Sequence, residues 1–396
     1  MSTPAFRRIT TAMFFGGFTT FASLYFPQPL LPLFSRDFGV SPATAALSIS
    51  LTTIAVAAGL IFLGTVSEIF GRKPVMIASI LATAVSTLLV SLAQDWTQIL
   101  ILRTLTGLAL SGFPAVAMAY LADEMEPRAL GLAMGIYIAG GTIGGMLGRF
   151  FIAAVADHWQ WRPGVAALGA FALIGGLALI FTLPEAKQFR PSKPNARALA
   201  ISLRDHLQEP GLRLLYAQSF LRTGSFVCAF NFLGYRLSAA PFGLSQTIIS
   251  AIFLVYLFGT VSSTVAGEIS GRIGRRRVLW IAEATMAVGI LITWPESLVA
   301  SGVGIAIFTI GFFAAHSVAS SWVGLRAREA RAQASALYLF FFYVGSSFAG
   351  WLGGHFYAEG GWRGVVVLIG AMSLAAVGIA LKLSKVPPPS WMKASP

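Results

Sequence analysis

GTVSEIFGRKPV, Gly64 to Val75, ends a run of about twenty apolar residues with Glu68, Arg72 and Lys73 set around glycines. GEISGRIGRRRV, Gly267 to Val278, repeats it at an offset of 203: Gly64/Gly267, Ser67/Ser270, Gly71/Gly274, Arg72/Arg275 and Val75/Val278 coincide. Two further echoes keep the order and nearly the spacing, GMLG (145–148) with GWLG (350–353) and Trp161-Arg162 with Trp362-Arg363. Such repetition describes a duplicated unit, and parallel repeats around a central site are a transport architecture.

Working outward, 56% of the residues are hydrophobic and only 11% are charged, against about 25% charged in an ordinary soluble domain. Apolar stretches predict twelve membrane spans: 10–33, 43–66, 75–94, 98–121, 129–152, 163–183, 213–235, 246–266, 278–294, 299–323, 333–356 and 364–383. The fold class is thus an all-α membrane protein of two pseudo-symmetric six-helix bundles. The expected domains are 1–183 and 213–396, joined by a polar linker, 184–212, rich in proline and basic residues. Arg7-Arg8 precede an apolar run too long for a signal-peptide core, so the first span is read as retained.

The net charge of +13 does not point to nucleic acid, because the basic residues sit in short segments between spans. With the N-terminus inside, twenty-one of them fall on the cytoplasmic side, against Arg36, Arg162, Arg236 and Arg363 outside. Both termini are therefore expected in the cytoplasm. Cys228 is the single cysteine and the four histidines lack ligand spacing, so neither a metal nor another cofactor is expected. No nucleophile–base set argues for an enzyme. GxxxxGK[ST] is absent, which leaves a gradient as the energy source.

In the opening stretch Gly71 permits a tight turn with positive φ and a close helix approach. Glu68, Arg72 and Lys73 resist entry into hydrocarbon and fix helix ends at the interface. Arg72 can fork onto a carboxylate, and Asp123 in YLADEMEPR (120–128) is expected on the same face, with Arg128 close by. The loop and its copy resemble the signature loop of the major facilitator superfamily. RTLTGLALSG (103–112) is similar to that superfamily's span-4 Arg-Gly motif, and GIYIAGGTIGGMLG (135–148) to the span-5 motif of its twelve-helix drug:proton antiporters. LPEA (183–186) closes span 6 much as those exporters do. Glu68 stands where the family has Asp, Gly271 where an acid could stand in the second copy, and Thr142 follows Gly141 in place of proline.

The resemblance implies a proton-coupled efflux carrier of the inner membrane, a monomer in the lipid bilayer taking a small-molecule substrate. It implies a conformational latch of Gly64, Glu68, Gly71, Arg72, Lys73, Asp123 and Arg128, echoed by Gly267, Gly274 and Arg275. Gly140, Gly141, Gly144, Gly145 and Gly148 are spaced for close helix packing, expected against span 8 of the other half. A sugar or organic-acid permease, or a non-transporting sensor, are the alternatives.

Charges at membrane depth are functional candidates by default. Arg222 in span 7 is expected to face a cavity, with Asn231 near it, and Arg103 in span 4 to serve coupling or binding. Arg149 is expected to snorkel outward and Glu283 to pair with a cytoplasmic arginine. His316 is the histidine at membrane depth, read either as a group titrating near neutral pH or as a hydrogen-bonded packing residue. Spans 1 to 6 carry no Asp or Glu away from their ends, so Arg103 and Arg222 favour an anionic or zwitterionic substrate. Tyr25, Tyr137, Tyr235, Tyr256, Phe341 and Tyr343 would supply an amphipathic wall.

Overall fold

Each half of the chain lays down six long helices. The computed structural model describes residues 4–186, 196–327 and 330–387, and every regular element among them is helical. Lys187, Arg190, Lys193, Arg328 and Lys393, which entered the expected orientation, lie outside the described residues, as does the stretch 187–195 of the linker.

Span 1 is Pro4–Tyr25, running on through a 3-10 turn, Gln28–Leu30, into Leu31–Phe38. Spans 2 to 6 are Pro42–Phe70, Arg72–Leu92, Trp96–Glu124, Pro127–His158 and Trp161–Thr182. Span 7 is Pro210–Ser238, and span 8 comprises Gln246–Ala251, a 3-10 piece Ile252–Val255, and Tyr256–Ile273. Spans 9 and 10 are Arg275–Ile292 and Leu298–Arg326. Spans 11 and 12 share one continuous run, Arg331–Lys385, divided at Gly361, whose φ of 56° and ψ of −146° are not helical. Pro42, Pro127 and Pro210 open helices at the position where a missing N–H costs nothing. Asp95 and Ser297 cap spans 4 and 10 by accepting from the backbone of Gln98 and Ala300.

Nine helices among the described residues are long and apolar enough to cross a membrane by themselves, the Arg331–Lys385 run counted once. Spans 7 and 9 complete the twelve; both carry charges well inside their length, Arg222 and Glu283. Leu105, Ile138, Ile174, Phe181 and Leu374 stand exposed on the helices, a surface that only hydrocarbon covers without cost.

By contact the chain forms two units. One gathers Met1–Val40, Thr44–Pro194 and Leu244–Phe253; the other Ser41–Ala43, Asn195–Gly243 and Leu254–Pro396. The start of span 8 thus groups with the first unit, because the Asp157 carboxylate at the end of span 5 accepts from the Gln246 and Thr247 N–H groups at 2.9 and 2.7 Å. In the first unit span 1 packs on span 5, and span 3 on spans 4 and 6. In the second, span 7 packs on span 11 and span 9 on span 10, with Gly370 of span 12 facing Leu291 of span 9.

The span-5 glycines do not pack on span 8 as expected. A Cβ at Gly140, Gly144 or Gly148 would overlap Phe14, Phe18 or Ala22 of span 1, with Gly141 and Gly145 turned toward Phe21. Their four-residue spacing keeps them on one face, and span 1 lies against that face backbone to backbone. A Cβ at Gly345 of span 11 would overlap the Phe220 backbone of span 7, and one at Gly353 the Cys228 side chain.

The linker also holds more than an exposed connection. Ala196–Gln208 is a helix whose Leu203 packs on the core of the second unit and whose buried His206 places Nε2 3.2 Å from the Ala330 carbonyl oxygen. Thirteen residues are too few to register as a span, so the hydropathy reading passed over it.

Candidate functional site

Gly71 has φ 99° and ψ 156°, and Gly274 in the second copy has φ 92° and ψ 139°. Side chains other than hydrogen rarely tolerate that region, so the same reversal is built twice from the same residue type. In the first unit it aims Arg72 at two partners: Nε lies 3.3 Å from Asp123 Oδ2, and one terminal nitrogen donates to Ser67 Oγ at 2.8 Å. Lys73 reaches Glu185, beyond span 6, at 2.9 Å. Glu68 is half-buried on the preceding turn and Arg128 is exposed. A Cβ at Gly64 would meet nothing within 4 Å, and one at Gly267 would have only Ser317 near it.

The second unit keeps the turn and changes the wiring. Arg326 occupies the position that the 203-residue offset gives for Asp123. It is buried, and is neutralised by Glu209 at the start of span 7, at 2.6 Å. Glu209 also accepts from the Leu212 N–H, and Arg276 donates to the carbonyls of Ser384 and Val386 at the end of span 12. Arg272 pairs with Glu268 on its own helix.

Arg103 is wholly buried. Its guanidinium donates to three main-chain carbonyls, Ser48 at 3.1 Å, Ser23 at 2.8 Å and Leu24 at 2.7 Å, and lies 4.8 Å from the Phe26 ring. It ties spans 1, 2 and 4 together. Arg103→Lys is expected to lower stability by about 2 kcal/mol, since an ammonium cannot reproduce the planar fork over three divergent carbonyls. Thermal unfolding of the purified protein checks this. Arg149 is likewise buried and does not snorkel outward as expected: it donates to Gln28 and to the Gly145 carbonyl, between the rings of Tyr25 and Phe253. Two aromatic faces and an amide side chain satisfy it where it stands.

Arg222 lies inside the second unit with Glu283 as its partner, at 2.8 Å, both side chains fully buried. Glu283 therefore pairs with the mid-membrane arginine and not, as expected, with a cytoplasmic one. Arg222 also donates to the Tyr338 hydroxyl at 2.6 Å, and that hydroxyl lies 3.0 Å from His316 Nδ1. An arginine already neutralised by a buried carboxylate exerts little pull on an anionic ligand, and the expected anion preference loses its physical basis.

The aromatic residues do not form a single wall in either unit. Tyr25 and Tyr137 belong to the first unit, against Arg149 and Phe113. In the second, Tyr256 joins Phe226, Phe230 and Phe313; Tyr235 meets Phe232 and Tyr357; Phe341 stacks on Tyr216; and Tyr343 lies beside Phe342. Asn231 is buried on span 7. Tyr338, Asp157 and Glu209 were not singled out by the sequence; Asp157 and Glu209 carried a signal, each an acid at a span boundary. No group of three His, Cys, Asp or Glu among the described residues could hold a metal ion.

The family model described as the Major Facilitator Superfamily matches residues 13–239 and 215–395. The chain is 45% identical over 383 residues to the inner membrane transport protein YnfM of Escherichia coli (strain K12), covering 97% of this chain and 92% of that protein. It is 28% identical over 305 residues to the multidrug resistance protein MdtG of Salmonella typhi, 74% of this chain and 73% of that one. Among solved structures, an inward-facing, occupied bacterial homologue of the human lysosomal transporter Spinster superposes with a TM-score of 0.79 at 15% identity, covering 97% of this chain and 98% of that one.

Proposed function

The chain belongs to the major facilitator superfamily and is a multi-pass membrane transporter rather than an enzyme, and on that premise we propose that it exports a small amphipathic molecule in exchange for protons by alternating access. The observation that carries this is the charged clasp at the Gly71 turn. Alternating access needs a contact strong enough to hold one state and weak enough to release it. Arg72 shared between Asp123 and Ser67, only partly shielded, is of that kind. The likeness to a protein named for multidrug resistance supports export of amphipathic compounds. The likeness to an inner membrane protein supports that location, with both termini and the Gly71 turn cytoplasmic. With Arg222 neutralised, the cargo is defined by amphipathic shape rather than by negative charge.

Arg72→Ala is expected to reduce transport far more than binding, because a latch shifts the balance of states by about 1–3 kcal/mol without touching cargo. Ethidium binding by fluorescence and ethidium flux in vesicles separate the two quantities. Reconstitution tests the proposal itself. Vesicles with an acid interior should accumulate ethidium, and nigericin should abolish it. Movement of sugars or organic acids in its place leaves a permease, and movement of no solute leaves a sensor.

A further inference from the structure

Four spans of the second unit each contribute one side chain to a single line of contacts: Glu283 from span 9, Arg222 from span 7, Tyr338 from span 11 and His316 from span 10. Glu283 is the one fully buried carboxylate among the described residues. Its Oε1 accepts from Arg222, while its Oε2 has no hydrogen-bond partner among them, and neither has Arg222 Nε. An ion pair kept for rigidity alone is closed on both sides, since each open site inside hydrocarbon costs stability. Here the carboxylate is held by one oxygen only.

The other half of the cluster explains how such a pair could open. The Tyr338 hydroxyl accepts from Arg222 and has one proton, which is placed to go to His316 Nδ1. A phenol that gives its proton to an imidazole is a better acceptor for a cation. Arg222 thus has a second acceptor already in contact when the first is neutralised. Of the neighbouring spans, residues 257–267 of span 8 and 364–381 of span 12 contain no ionisable side chain.

We propose that Glu283 is the proton-carrying residue of this transporter, and that Arg222 transfers its weight from Glu283 to Tyr338 when the proton binds. A hydronium ion from the aqueous phase gives its proton to Oε2 and leaves as water, the carboxylate becomes a neutral acid, and the cluster changes from zero net charge to one positive charge. That charge is tolerated only where water reaches the cluster, which ties proton uptake to the conformational cycle. The assignment rests on the proton-coupled reading above.

Infrared difference spectra of the purified full-length protein test it without a cargo, the probe being the proton alone, titrated from about pH 9 to about pH 4. The wild type should develop the carbonyl stretch of an unexposed carboxylic acid, and Glu283→Gln should lack it. Tyr338→Phe, which removes the second acceptor but keeps the ring, should need at least about tenfold more protons to develop the same band. No band in the wild type, a band surviving Glu283→Gln, or an unchanged midpoint in Tyr338→Phe would overturn the proposal. The wild-type titration and Tyr338→Phe decide the matter even where Glu283→Gln fails to fold. Acid-driven ethidium accumulation without the band removes Glu283 and leaves proton-coupled export standing. The band without accumulation removes the export reading instead, so the two failures are told apart.

Discussion

Glu283→Leu should destabilise the protein by about 3–5 kcal/mol, because it strands Arg222 as an unpaired cation in a fully buried position. Arg222→Met should cost a similar amount by stranding Glu283. The informative variant is the double one, Arg222→Met with Glu283→Leu, which removes both charges and fills their space. It should recover most of the loss, since a buried pair against a well-packed apolar replacement is close to neutral in stability. Denaturation of the four proteins in one detergent gives the coupling directly. If each single change costs no more than the double one, the two residues are not coupled as the 2.8 Å contact requires. Recovery of stability should come without recovery of proton-driven transport, which separates holding the helices from carrying the proton.

Two glycines nine residues apart on span 5 should respond in opposite directions to one added methyl group. Gly144→Ala puts a Cβ into the Phe18 backbone, and with main chain on the other side nothing can rotate away. Spans 1 and 5 must then separate along their whole contact, and a loss of about 3 kcal/mol is expected, at the upper end for overpacking. Gly135→Ala meets nothing within 4 Å and should raise stability by about 0.5–1 kcal/mol through helix propensity alone. Melting curves in detergent read both. A matching response at the two positions would mean that the span 1–span 5 contact is looser than its backbone separation states.

The fold was legible because its signals are local. Twelve apolar stretches, the repeated turn and the change to polar residues each occupy one window of sequence, and each became a helix or a reversal. Gly71 and Gly274 announced their turns since only glycine suits such a backbone. What escaped reading depends on the direction in which a helix face points. Glu283 stands within two turns of three arginines, so a partner at that end was the local inference. Its actual partner is 61 residues away on a helix that touches it only after folding. The glycines of span 5 likewise showed that some helix comes close, but not which one. Arg103 looked like a free charge because main-chain carbonyls, its partners, leave no trace in a sequence.

Arg326, standing where the first unit has Asp123, bears on how the two halves have diverged. Once a duplicated position has reversed its charge and acquired its own neutraliser, single steps backward are blocked. Arg326→Asp alone would set an acid beside Glu209, and Glu209 changed alone would abandon Arg326 in its buried place. Return requires two simultaneous changes, a route that stepwise mutation rarely finds. The halves are therefore no longer exchangeable parts: a chimera joining two copies of the first half would inherit the turn at Gly71 twice and would lose the Arg326–Glu209 pair altogether.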